Sequence, residues 1–257
     1  MGYGFTMNAS NDTGADKKPK SAEMHPGPGF RIRSEIQRPE RSLIDEFASF
    51  ETPAISDLMN RLSTMHWEIH RLTAPGRRLL GPACTVKVFP GDNLMVHKSL
   101  DLARPGDVVV VDAAAATTHA VLGDLVATKA RHRGIAGFVV DGLVRDIPGI
   151  IALGDMPVFA RGVSPIGPLH RGPGEVNFPV SVGGIVVHPG DLIVGDDNGV
   201  TVVPREACRS LLERLRAQVG AEAAYLDAVQ AGRFSNDWVD DLLSAGGVTT
   251  DDDTRTR

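Results

Sequence analysis

The sequence predicts an α/β fold: strands and helices alternate through its centre, and a β-rich part follows towards the C-terminus. Three stretches carry this. DVVVVD (107–112) is a continuous β-branched run, the pattern of a strand covered on both faces. HAVLGDLVATKARHRG (119–134) places Leu122, Val126 and Ala130 at i, i+4 and i+8, one face of a helix. IAGFVVDG (135–142) is a second buried run. Strand, helix and strand in that order form a βαβ unit, whose strands run parallel with a right-handed crossover.

The remaining elements follow in chain order. Residues 1–29 are polar, rich in Gly and Pro and aperiodic, so 1–34 reads as a flexible arm. PERSLIDEFASF (39–50) reads as helix, and TPAISDLMNRL (52–62) as another, with Thr52 as N-cap and Pro53 in the first turn. LLGPACTVKVF (79–89) is strand-like, and DNLMVHKSLDLA (92–103) has a helical period. Gly134 suits the C-cap of the helix in the βαβ unit, and PVFARG (157–162) predicts a further strand. Pro-Gly-Asp occurs at 90–92, 105–107 and 189–191, and Pro then Gly suits the centre of a type II turn. VHPGDLIVGDDNGVTVVP (187–204) reads as strand, Asn198-Gly199 turn and strand, before a final helix over about 205–231. The expected organisation is a single domain over 35–243 and a disordered tail over 244–257.

Composition limits the function classes. Of 257 residues, 42% are hydrophobic and 23% charged, an ordinary globular balance whose core needs no disulfide or metal staple. The net charge of -5 gives no bulk support for nucleic-acid binding. The short basic run KARHR (129–133) suits the C-terminal end of a helix. The two cysteines, Cys84 and Cys208, lie far apart and in no CxxC pattern, and Cys84 reads as a buried structural thiol. No apolar run approaches the ~20 residues of a membrane span, and no signal-peptide core opens the chain. A cytoplasmic protein without a membrane partner is expected.

The βαβ unit also predicts a site. Ligands of open α/β sheets sit beyond the carboxyl ends of the strands. Gly123-Asp124 follows the first strand and Arg145-Asp146 the second, so the two pairs should face each other across one cleft, although twenty residues lie between Asp124 and Arg145. Free N–H groups at a helix start bind anions, and Gly123 permits close approach. Arg145 can grip a carboxylate with a planar fork. Asp146 is a hard oxygen ligand suited to Mg²⁺ or Mn²⁺, and Asp124 can act as a base, directly or through a water. On spacing alone a simpler reading stands beside this one, with Asp124 as a helix cap and Arg145-Asp146 as a surface pair.

Other motifs point nowhere. HWEIH (66–70) has Trp67 where the zinc-protease pattern needs Glu. GVSPIG (162–167) lacks the spacing of a nucleophile elbow, and DDNG (196–199) reads as a hairpin turn rather than a calcium loop. His119 stands close before Gly123 and fits packing better than substrate contact. No G-x-G-x-G loop follows the first strand, so a methyltransferase finds no support.

GDLVATKARHRGIAGFVVDGLVRD (123–146) resembles the Asp–twenty residues–Arg-Asp signature of class II 4-hydroxy-4-methyl-2-oxoglutarate aldolases. Their superfamily also contains the regulator of ribonuclease activity A, and some members carry an old menaquinone methyltransferase label. The flanks GPACTVKVFPGDNLMVHKSLDLARPGDVVVVD, PVFARGVSPIGP and VGGIVVHPGDLIVGDDNGVTVVP agree, so the resemblance spans about 45–235. It implies a swivelling β/β/α-type sandwich and a homotrimer or homohexamer with sites near subunit boundaries. It also implies a small 2-oxo acid substrate, cleaved to pyruvate with Mg²⁺, Mn²⁺ or another divalent cation. Carried over by position, the backbone of Gly123, Asp124, Leu125 and Val126 binds the carboxylate and carbonyl end, Arg145 binds substrate, Asp146 holds the metal, and Asp124 works through a water. The family's aldolases add a Glu from a neighbouring subunit, for which Glu222 is the nearest candidate. An Arg often follows that Glu in the family; here Tyr225 and Leu226 stand there. Two functions remain: a lyase that cleaves 4-hydroxy-2-oxo acids and decarboxylates oxaloacetate through the same pyruvate enolate, or a non-catalytic protein-binding regulator of ribonuclease activity. VVDGLVRD, with Asp141 and Gly142 in place, leans towards the enzyme.

Overall fold

The β-branched runs form the middle of a mixed sheet, in a computed structural model that describes residues 23–249. The strands are β1 (Phe30–Ile32), β2 (His70–Arg71), β3 (Leu79–Val88), β4 (Val108–Asp112), β5 (Gly137–Val144), β6 (Val158–Val163), β7 (Gly174–Val176), β8 (Val180–Val182), β9 (Ile185–Val187), β10 (Leu192–Asp196) and β11 (Gly199–Val203). The helices are α1 (Arg41–Glu46), α2 (Thr52–Leu58), α3 (Leu94–Leu102), α4 (Asp124–His132), α5 (Ile147–Ala152), α6 (Cys208–Gln230) and α7 (Asp237–Ala245). The main sheet runs β1-β7-β3-β4-β5-β6-β2, and β10 joins β3 and carries β11. The predicted unit is present: β4 and β5 pair in parallel from Val108↔Gly137 to Asp112↔Asp141, with α4 between them in the chain.

The lack of polar alternation in these strands has a plain cause, since both sheet faces are covered. Val109, Val111, Phe138 and Val140 face Met95, Val96 and Leu100 of α3 and Val126, Ala127 and Ala130 of α4. Val108, Val110 and Val139 face the other way, towards Val180, Val182 and Val187 of the β8–β9 hairpin and Ile193, Val200 and Val202 of β10 and β11. Helices thus cover one face and β-structure the other, the β/β/α layering that the resemblance implies. Cys84 is fully buried in the helical-side core, and burial first, then the charge of Asp107, pushes its thiol up to about 12.

All three Pro-Gly-Asp triplets are turns. Each Asp N–H donates to the carbonyl three residues back (Asp92 to Phe89, 2.9 Å; Asp107 to Arg104, 3.0 Å; Asp191 to His188, 3.1 Å), and each central glycine has positive φ. Elsewhere the structure differs in detail. Thr52 is the first residue of α2 rather than its cap, and its hydroxyl and N–H donate to Asp196 at 2.6 and 2.8 Å. The β10–β11 turn residues are Asp197 and Asn198, with Gly199 already paired to Asp196. Inside the stretch expected as an arm, Phe30–Ile32 lies parallel to β7; residues 1–22 fall outside the described part. The chain divides into two compact units, the second starting at Arg209, where one domain over 35–243 was expected. The second unit holds most of α6 and all of α7, and α7 enters the stretch expected as a tail, of which 250–257 lies outside the described residues. Among the described residues, no helix is long and apolar enough to cross a membrane.

Candidate active site

The segment after β4 returns to the end of β5 and pairs with it. Val121 N–H donates to Leu143 O at 2.9 Å, and Arg145 N–H donates to Leu122 O at 3.0 Å. This ladder sets Gly123 beside Arg145 and Asp146. The β5–β6 register shifts between Val140 and Leu143, an irregularity of the kind that re-aims a strand end beside a site.

Gly123 is the N-cap of α4 with extended backbone at φ -146°, which any residue can adopt. Space is what requires glycine. A Cβ there would collide with Asp146 Oδ2 and lie 3.0 Å from Arg145 Cγ. Asp124 opens α4 and rests against α5, where a Cβ on Gly149 would lie 2.8 Å from its Oδ2. Asp146 sits at the N-cap of α5 in a left-handed conformation, φ 57°, which Asp tolerates better than most residues. Its side chain makes no cap hydrogen bond; Oδ2 pairs with Arg145 Nε at 3.2 Å. The guanidinium lies along the loop after β6, where a Cβ on Gly167 would come within 2.5 Å of Nη1.

Gly123, Asp124, Leu125, Val126, Arg145 and Asp146 all line one cavity of about 230 Å³. That is below the roughly 300–1,000 Å³ of sites for drug-sized ligands, and so suits a small metabolite. Asp112, the last residue of β4, and Asp141, within β5, do not line it. Asp141 accepts the Gly183 N–H at 2.7 Å and pairs with Arg161, a structural role. His119 does not line it either, and its ring packs against Gly91, as expected. A larger cavity of about 480 Å³ lies between residues 33–37 and the turn at 188–191. Its buried acid, Asp191, is taken up by the N–H groups of His188 and Arg205.

The cavity has a second wall that sequence reasoning missed: Asn93, His97, Lys129 and His170. Asn93 is buried, and its Nδ2 donates to Val121 O at 2.9 Å. That bond fixes the amide orientation, so Oδ1 accepts from His170 Nδ1 at 2.6 Å, and the His170 proton sits on Nδ1. The His170 ring meets His97 edge to face, with centroids 5.5 Å apart. Burial, then the charge of Lys129 and the presence of His170, lower His97 from the ordinary 6.5. Asn93, the N-cap of α3, and His97 within it stand at i, i+4, a spacing that could have flagged them. Lys129 was absorbed into a basic run at a helix end, and His170 into an irregular loop.

The lowered His97 value has a consequence for stability. Below pH 6.5 the unfolded chain takes up a proton at His97 that the folded chain resists, so stability falls as pH drops through this window. In an NMR titration, the His97 ring protons should therefore shift with a midpoint below 6.5. A midpoint at or above that value would contradict the burial described here.

Among the described residues no group of three or more His, Cys, Asp or Glu is arranged to hold a metal, so these residues form no closed cage. The Asp146 carboxylate is 42% exposed and faces the cavity. One accessible carboxylate fits Mg²⁺ or Mn²⁺ that keep most of their own waters, and does not fit structural zinc. Glu222 lies on α6, but its side chain falls outside the described part.

A family model described as RraA-like, Aldolase/RraA, matches residues 52–202. A protein of Halalkalibacterium halodurans named "Putative 4-hydroxy-4-methyl-2-oxoglutarate aldolase" is 40% identical over 189 residues, covering 74% of this chain and 89% of its own. A protein of the same name from Ectopseudomonas mendocina is 39% identical over 125 residues, 49% of this chain and 76% of its own. Among solved structures, an uncharacterized protein of Pseudomonas syringae superposes with a TM-score of 0.67 at 29% identity, covering 77% of this chain and 96% of its own. RraAS2 of Streptomyces coelicolor, described as an unusual member of the RNase ES inhibitor RraA protein family, also gives 0.67, at 27% identity and 74% and 98% coverage.

Proposed function

Since this chain belongs to the RraA-like (Aldolase/RraA) family, we propose that its cavity cleaves 4-hydroxy-2-oxo acids of the 4-hydroxy-4-methyl-2-oxoglutarate type to pyruvate, and decarboxylates oxaloacetate through the same enolate. One observation carries the reading: Asp124, Arg145 and Asp146 share a small cavity with the start of α4, across a glycine that leaves no room for a side chain.

In this reading the free N–H groups of the first turn of α4 and the Arg145 guanidinium bind the carboxylate and carbonyl end of the substrate. Asp146 would hold Mg²⁺ or another divalent cation, which when bound supplies Lewis-acid stabilisation of developing negative charge. Asp124 takes the proton of the 4-hydroxyl through a water as the C3–C4 bond breaks. The electron pair of that bond passes into the pyruvate enolate, whose charge Arg145 and the helix N–H groups stabilise. Oxaloacetate loses carbon dioxide from the same position, with no hydroxyl proton to remove. Assembly as a homotrimer or homohexamer, with Glu222 supplied across a subunit boundary, belongs to the same proposal.

Binding can be tested apart from turnover. Oxalate has the planar shape and charge of the enolate, so with Mg²⁺ it should bind the wild-type protein in calorimetry. Arg145→Lys keeps the charge but loses the two-pronged geometry, and should weaken oxalate by at least roughly tenfold. Unchanged oxalate affinity would remove Arg145 from the substrate. The alternative reading, a regulator that binds a ribonuclease, draws on the likeness to the Streptomyces coelicolor structure. It predicts ribonuclease inhibition that survives Asp146→Ala and no response to oxalate.

A further inference from the structure

Cleavage of an enolate precursor does not use the second wall of the cavity. Its one permanent cation is Lys129, on the same helix as Asp124 and four residues beyond Leu125. Lys129 lines the cavity with Arg145 and Asp146, yet its ammonium makes no ion pair or hydrogen bond among the described residues. Arg145, by contrast, already faces Asp146. The histidines beside Lys129 do not compensate its charge: His170 gives its Nδ1 proton to Asn93, and His97 packs edge to face on His170. The small cavity thus holds two separate cationic groups, of which only Arg145 has an acid beside it.

Lys129 is an exposed residue of the cavity lining, and its ammonium attracts an anion held alongside it with a strength that solvent reduces but does not cancel. A monocarboxylate held at Arg145 and the start of α4 would leave Lys129 unmatched. A second carboxylate at the far end of the same molecule would match it. We infer that Lys129 recognises the distal carboxylate of a dicarboxylic 2-oxo acid, making it the residue that selects substrates with two carboxylates over those with an uncharged tail. This rests on the 2-oxo acid reading of the cavity given above. The lowered His97 value agrees with the placement, since the ammonium acts on that ring.

The test compares 2-oxoglutarate with 2-oxopentanoate, unreactive 2-oxo acids of equal chain length that differ in the terminal carboxylate. Affinities are measured by calorimetry on the full chain with Mg²⁺. Wild type should prefer 2-oxoglutarate by roughly tenfold, the scale of one charged hydrogen bond. Lys129→Met should lose that preference by weakening 2-oxoglutarate alone, and Lys129→Arg should restore most of it. In Lys129→Met the His97 titration should also move upwards, which checks that the ammonium faces that ring. Equal affinity for both acids in wild type overturns the inference and leaves the 2-oxo acid reading standing. Equal weakening of both acids by Lys129→Met overturns it too. Failure of wild type to bind either acid overturns the 2-oxo acid reading, and the inference with it.

Discussion

Gly123→Ala should lower turnover by roughly 10²-fold or more, the scale on which a shift of about 1 Å in a reacting group acts, while the thermal midpoint stays close to that of wild type. The backbone at Gly123 is extended, so alanine brings no conformational strain there. The added methyl meets the carboxylate of Asp146 and the stem of Arg145, which are flexible and partly exposed and can swing away. Folding energy therefore changes little, but the two groups proposed to hold metal and substrate leave their positions. Steady-state kinetics and a melting curve on the same sample check this. Wild-type turnover would mean that the Arg145-Asp146 arrangement is not where the chemistry occurs. A large loss of stability would mean that the contact is relieved through the backbone instead.

Asp124→Asn separates the two reactions. Asparagine keeps the size and contact of Asp124 against Gly149 but removes the charge. Aldol cleavage must remove a hydroxyl proton, and should fall by roughly 10²-fold or more, the usual scale for a positioned base. Oxaloacetate decarboxylation starts without that step and should fall much less. Equal losses would assign Asp124 to ordering the metal site. No loss in either reaction would leave it as an acid suited to the first turn of a helix.

The sequence was most informative where local chemistry dictates geometry. The runs 107–112 and 135–142 lack alternation because both faces of the sheet are covered, and that pattern, with the helix between, was enough to place Gly123-Asp124 opposite Arg145-Asp146. The Pro-Gly-Asp turns were legible because proline and glycine restrict the backbone in opposite senses. The second wall was not legible. Asn93 and His97, Lys129, and His170 come from three separate segments, and only the packing of α3 and the loop after β6 against α4 brings them to one cavity. Short elements were also missed: β7, β8 and β9 have three residues each, too few to show a period. The start of α5 is masked by Pro148 and Gly149 directly after the Arg-Asp pair.

The central claim is that this cavity performs metal-dependent cleavage of a 2-oxo acid. Pyruvate release from 4-hydroxy-4-methyl-2-oxoglutarate, followed with excess lactate dehydrogenase and NADH, tests it most directly when run with Mg²⁺, with EDTA, and with Asp146→Ala. The account predicts steady pyruvate formation with Mg²⁺, arrest by EDTA with recovery on adding the metal back, and no turnover by an Asp146→Ala protein that still folds. Pyruvate formation that continues unchanged in EDTA, or no pyruvate from the wild-type protein with Mg²⁺, would contradict it.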